Sequence, residues 1–132
     1  MGLANTSILA GATVSATGGT AVNYTPDGLA VKNGIHLIDA SVSDFRIRPQ
    51  VTAKTKNPTL LPDGSYGKDH REILLVEPFV DSKGKTQFDF IRIERSMHPE
   101  SSAAKGLDLL RKGAQLAIDA DTASFWATGS LS

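Results

Sequence analysis

The chain has 132 residues, 14 basic and 14 acidic side chains, no cysteine and 40% hydrophobic residues. That is the size and composition of one globular domain with a core of its own. It excludes a disulfide scaffold, a thiolate metal site, a cysteine nucleophile and a uniformly basic nucleic-acid binder, but not a basic face balanced by acid elsewhere.

Met1-Gly2-Leu3-Ala4-Asn5-Thr6 fits the myristoylation pattern, and Asn5-Thr6-Ser7 and Asn23-Tyr24-Thr25 fit the glycosylation sequon. Both patterns are loose and are read as chance. No charged segment leads into an apolar one, and no apolar run approaches the roughly 20 residues of a membrane helix. The chain reads as made and kept inside a cell.

Residues 7–17 are small and apolar, with Ile8, Ala10, Ala12 and Val14 alternating. Gly18-Gly19 and then residues 21–24 follow, which predicts an N-terminal hairpin over 1–25. Asp27-Gly28 and Asn33-Gly34 are turn signals, with short strands expected at 29–31 and 35–38. Residues 43–56 alternate most clearly. Phe45, Ile47, Val51 and Ala53 take one face; Asp44, Arg46, Arg48, Gln50, Thr52, Lys54 and Lys56 take the other. A period of two predicts a strand with one face on a core and one facing water or a polar partner. Pro49 marks an edge, bulge or break in it.

Residues 57–68 are a loop around Pro62-Asp63-Gly64. Strands are expected at 69–80 and 86–97, joined by the polar turn 81–85. Pro99 ends the second, and Pro99-Glu100-Ser101-Ser102 opens a helix over 100–118. Ala103, Leu107, Leu110, Ala114 and Ala117 recur at helical spacing. Asp119 or Asp121 caps a short second helix carrying Phe125 and Trp126, which Gly129 ends. The antiparallel sheet thus occupies 29–98, and two helices and a tail occupy 99–132.

No enzyme constellation is present. His36, His70 and His98 show no metal-ligand spacing, and no nucleophile elbow or phosphate-binding glycine loop occurs. His36, with Asp39 nearby, reads as a hydrogen-bonded or exposed strand histidine. Residues 69–72 read as a solvated strand start, and Asp119 and Asp121 as caps. Catalytic residues, bound metal and cofactors are therefore expected to be none.

The basic stripe stands apart. Arg46, Arg48, Lys54 and Lys56 share a strand face with Gln50 and Thr52, and no acid falls between Phe45 and Pro62. Cations beside amide and hydroxyl groups on a flat sheet suit phosphate and base contacts, although solvated outer faces are common. If Ile91 and Ile93 face the core, Phe88, Phe90 and Arg92 share the polar face.

With these elements in order, the whole chain resembles the coat proteins of single-stranded RNA bacteriophages. The segment 87–116, a last strand, a Ser/Pro break and a small-residue helix, carries the likeness with the closing Ala127-Thr-Gly-Ser-Leu-Ser tail. The absence of cysteine and Pro49 in the central strand depart from some relatives. The resemblance implies an α+β fold: an N-terminal hairpin, an antiparallel sheet and two C-terminal helices in an intertwined dimer. It implies an icosahedral shell and an inner sheet face that binds genomic RNA, with an operator hairpin as a further target. Carried onto this chain, the RNA face is Arg46, Arg48, Gln50, Thr52, Lys54, Lys56 and Arg92. The dimer interface is Leu107, Leu110, Phe125 and Trp126. The partners are a second copy and viral single-stranded RNA, with no membrane or small-molecule substrate. The location is a virion assembled in a bacterial cytoplasm. A helix of about 28 Å agrees with dimerisation, because it and a short companion cannot cover strands of some 40 Å. Competing readings are a small RNA-binding regulator, a virion component that never meets nucleic acid, and, weakest, a small hydrolase.

Overall fold

The computed structural model describes residues 2, 4 and 6–131. Met1, Leu3, Asn5 and Ser132 lie outside the described residues, so the lipidation pattern and the first sequon do too. The chain divides into two compact units, Gly19–Pro99 and a second made of Met1–Gly18 with Glu100–Ser132.

The first unit is a five-stranded antiparallel sheet in sequence order: β1 (Thr25–Pro26), β2 (Gly34–Ile38), β3 (Gln50–Lys56), β4 (Asp69–Val80) and β5 (Thr86–Met97). Each strand returns through a turn chosen by its residues. Asn33 takes a left-handed φ of 56° to start β2. Gly34 follows because an added Cβ would run into the Ala53 carbonyl oxygen across the ladder. The β4–β5 turn is closed by Asp81, whose Oδ1 accepts from the Lys83 and Lys85 N–H groups. Its Oδ2 accepts from Gln87 Nε2. These bonds, with that of Lys85 foremost, hold the Asp81 carboxyl below the usual carboxylate range.

Register fixes the faces. Gly34 pairs with Lys54, Lys54 with Glu72, and Glu72 with Glu94, without interruption along β4 and β5. Every pair in β2–β5 joins two even or two odd numbers, so parity alone assigns a side chain to a face. The odd face is apolar at its centre: Ile35, Leu37, Val51, Ala53, Ile73, Leu75, Ile91 and Ile93. A core of its own was expected for this chain. Among the described residues Met97 is instead the one large apolar side chain that is buried, and Ile93 is 52% exposed.

In the second unit α1 (Ala103–Ile118) starts where the Ser102 hydroxyl accepts from the Lys105 N–H. Pro99 and Glu100 lie in the preceding turn, and the helix begins three residues after the expected start at 100. The Asp119 carboxylate accepts from the Asp121 N–H and caps a 3-10 turn at Ala120–Thr122. Then comes α2 (Ala123–Thr128), ended by Gly129 at φ 75°. Phe125 and Trp126 meet edge to face at 5.2 Å.

Three expectations need correction. The N-terminal hairpin is absent: among the described residues, no strand precedes Thr25. Gly18 and Gly19 do turn, with φ of 79° and 76°, but an isolated two-stranded hairpin is marginal in water. The segment's backbone bonds elsewhere, Leu9 giving its N–H to Gln115 Oε1 and taking Nε2–H at its carbonyl, both at 3.0 Å. Residues 29–31 form no strand, because Asp27 Oδ1 takes the Leu29 N–H in a local turn. The strand expected from residue 43 begins only at Gln50. Asp44 draws the Arg46 N–H and guanidinium into a turn, and Pro49 has no N–H to extend the ladder.

Candidate nucleic-acid interface

The even face carries the polar side chains of β3. From one end of β3 to the other, the rows across β2, β3, β4 and β5 run as follows. Ile38, Gln50, Val76 and Phe90 come first; then His36, Thr52, Leu74 and Arg92; then Gly34, Lys54, Glu72 and Glu94; and last Lys56, His70 and Ser96. Gln50, Thr52, Lys54, Lys56 and Arg92 are thus brought to one surface. Ile91 and Ile93 face the other way, so Phe88 and Phe90 join Arg92 on the polar side, 61% and 66% exposed. The Arg92 guanidinium lies 6.0 Å from the Phe90 ring centre.

Arg46 and Arg48 lie outside β3. Both lie in the loop before β3, where each has a structural task. Arg46 is paired with Asp44 at 3.0 Å, and its hydrogen bonds hold the Asp44 carboxyl below the usual range. Arg48 gives its Nε–H to the Val42 carbonyl at 2.9 Å. Lys54 and Lys56 are exposed and, among the described residues, carry no ion pair.

His36 is 8% exposed. It bonds to Asp27 rather than Asp39, with Nδ1 at 2.9 Å from Asp27 Oδ2. Asp39 instead accepts from the Ser41 N–H and hydroxyl. The His36 bond, ahead of the Leu29 N–H, holds the Asp27 carboxyl below the usual range. His36 Nε2 lies 3.1 Å from Gln50 Oε1, so one ring ties the 27–29 turn to the polar face and steadies Gln50.

The sequence reading missed the acid on this face. Glu72 and Glu94 stand opposite each other beside Lys54, with Glu72 bonded to Arg92 Nε at 3.2 Å. His70 lies between them, 3.6 Å from Glu72 and 3.4 Å from Glu94. The two-residue spacing of His70 and Glu72 places them on one face; only the β4–β5 register adds Glu94.

No family model matches the chain, and no curated protein does. Among solved structures, a chain of the virus-like particle of bacteriophage GQ-907 shares the fold with a TM-score of 0.92 and 36% identity. The match spans 98% of this chain and 99% of that one. The chain belongs to the RNA-bacteriophage coat-protein family. A capsid protein's work is structural, and its chemistry lies in the surfaces it offers. This coat protein offers three: the polar even face, the apolar odd face, and the outer edge of β5.

Proposed function

We propose that this coat protein dimerises, self-assembles into an icosahedral shell and binds genomic single-stranded RNA on the even face of its sheet. The observation that carries the reading is the gathering of Gln50, Thr52, Lys54, Lys56 and Arg92 on one face of a sheet with one long open edge, the other face being apolar at its centre. Residues 87–94 of β5 are all exposed. A long unpaired edge is a template for another strand, so β5 would pair with the partner's β5 about a twofold axis. Leu107, Leu110, Phe125 and Trp126 are exposed in the single copy, Trp126 by 61%. In an intertwined dimer these residues and the odd face would find their cover.

On the even face Lys54, Lys56 and Arg92 supply phosphate contacts, Gln50 and Thr52 supply polar contacts, and Phe88 and Phe90 offer rings for bases to stack on. Arg46 and Arg48 hold the preceding loop. A role as translational repressor on an operator hairpin uses the same surface. Both units belong to one coat domain, and the protein works in the virion after assembly in the host's cytoplasm.

The test is expression of the chain alone, followed by light scattering and the 260/280 nm absorbance ratio. A megadalton particle rich in nucleic acid is expected. A nucleic-acid-free dimer that ignores added RNA would overturn the RNA reading and favour a non-packaging virion component.

A further inference from the structure

We propose that His70, Glu72 and Glu94 form a binding site for a divalent transition-metal ion, of which zinc is the representative, on the even face of the sheet. The site borders the cationic pair on β3, whose Lys54 and Lys56 are the cross-strand partners of Glu72 and His70, and it needs no RNA.

The donor set comes first. One imidazole nitrogen and two carboxylate oxygens from these residues lie within 4.8 Å of one another. Zinc binds nitrogen and carboxylate oxygen at about 2.0–2.2 Å, which sets tetrahedral ligands about 3.4 Å apart. His70 Nε2 stands 3.6 Å from Glu72 Oε2, and His70 Nδ1 stands 3.4 Å from Glu94 Oε1. Both separations exceed the usual length of a charge-assisted hydrogen bond, about 2.7–2.9 Å. The Nε2–Glu72 separation matches the spacing of two ligands around one ion, and Glu94 offers its carboxylate within the same 4.8 Å group.

The surroundings orient these donors. A ligating histidine commonly gives its other N–H to a fixed acceptor, and ligating carboxylates are themselves hydrogen-bonded. His70 Nδ1 is 3.1 Å from the Ser96 hydroxyl, which can take that N–H and leave Nε2 for the metal. Arg92 Nε occupies Glu72 Oε1 at 3.2 Å and leaves Oε2 facing His70. Glu94, exposed at the open end, has only its own rotamer to set.

Charge points the same way. Glu72 and Glu94 are directly opposed on neighbouring strands, a destabilising arrangement for like charges. Lys54 beside Glu72, Lys56 beside His70, and Arg92 relieve it from the flanks. A divalent ion would relieve it at the centre, with water on the solvent side completing the shell.

The experiment is calorimetric titration of the RNA-free, full-length chain with zinc chloride. Wild type and His98→Gln should each bind one ion per chain. His70→Gln and Glu94→Gln should bind at least about tenfold more weakly, with unchanged circular dichroism. Failure of wild type to bind one ion, or binding that survives both substitutions, overturns the proposal. Because a substituted chain can misfold, cobalt(II) added to wild type gives a second readout. Visible absorption of a low-coordinate nitrogen–oxygen site is expected, and its absence also overturns the proposal.

Discussion

The sheet has two edges built in opposite ways. At one, β1 is two residues long and ends in Pro26, which cannot donate to a ladder. Asp27, His36 and the Asn33 turn tie that side down. At the other, β5 runs for twelve residues without proline and stands exposed along most of its length. Proteins commonly blunt an edge with a short strand or a proline. This chain blunts one edge and leaves the other open, as the proposed pairing of β5 with a partner's β5 requires.

The largest expected effect comes from closing that edge. Of two neighbouring residues in β5, such as Phe90 and Ile91, one N–H points toward β4 and the other outward. We expect proline at the outward position to leave a folded monomer and abolish particles, as read by light scattering. Thr25→Pro at the blunt edge should leave assembly unchanged. A dimer that survives proline at both Phe90 and Ile91 would break the comparison.

The next effect concerns β3, midway between the edges. Lys54→Ala with Lys56→Ala should cut packaged RNA several-fold and reduce the salt slope of RNA binding by about 1.4, roughly 0.7 per lost cation. Arg46→Ala with Arg48→Ala should leave that slope unchanged. Equal losses from both pairs would return the loop arginines to the RNA face.

Smaller effects test how firmly the blunt side is held. Gly34→Ala forces a methyl group against the Ala53 carbonyl. It should cost about 2 kcal/mol, read from the urea midpoint. Asp27→Asn should show its effect as a pH dependence. The folded carboxyl titrates below its ordinary value, so its contribution is present above the unfolded aspartate pKa of about 3.9. It is lost as pH falls through the lowered folded value. Wild type should therefore exceed the variant at pH 6, with the gap closing toward pH 2.

Much of the sheet was legible in the sequence. The bounds of β4 and β5 fall where they were expected, because the polar 81–85 turn and Pro99 punctuate two runs rich in Ile, Leu, Val and Phe. The Gly129 stop was equally plain, since a left-handed residue after a helix favours glycine. What escaped was decided by side chains bonding to backbone nearby. Asp44 turned the alternating run 43–49 into a loop and took Arg46 with it. Asp27, rather than Asp39, met His36 because the Asp27 turn folds back over β2. The His70, Glu72 and Glu94 group escaped for another reason: it exists only once two strands, 22 positions apart at Glu72 and Glu94, are set in register.

The parity rule bears on how such a chain can change length. One residue gained or lost inside β3, β4 or β5 would send all the side chains beyond it to the opposite face, lysines inward and isoleucines outward. Insertions and deletions can therefore survive only in the connections. Even there the 81–85 turn is held at one length by the three bonds that Asp81 accepts. The stretch 57–68 is closed in the same way, by the Leu60–Tyr66 bridge and by Asp63, which accepts from the Ser65 N–H and hydroxyl, so kindred chains would differ in size by exchanging a whole turn rather than by single residues.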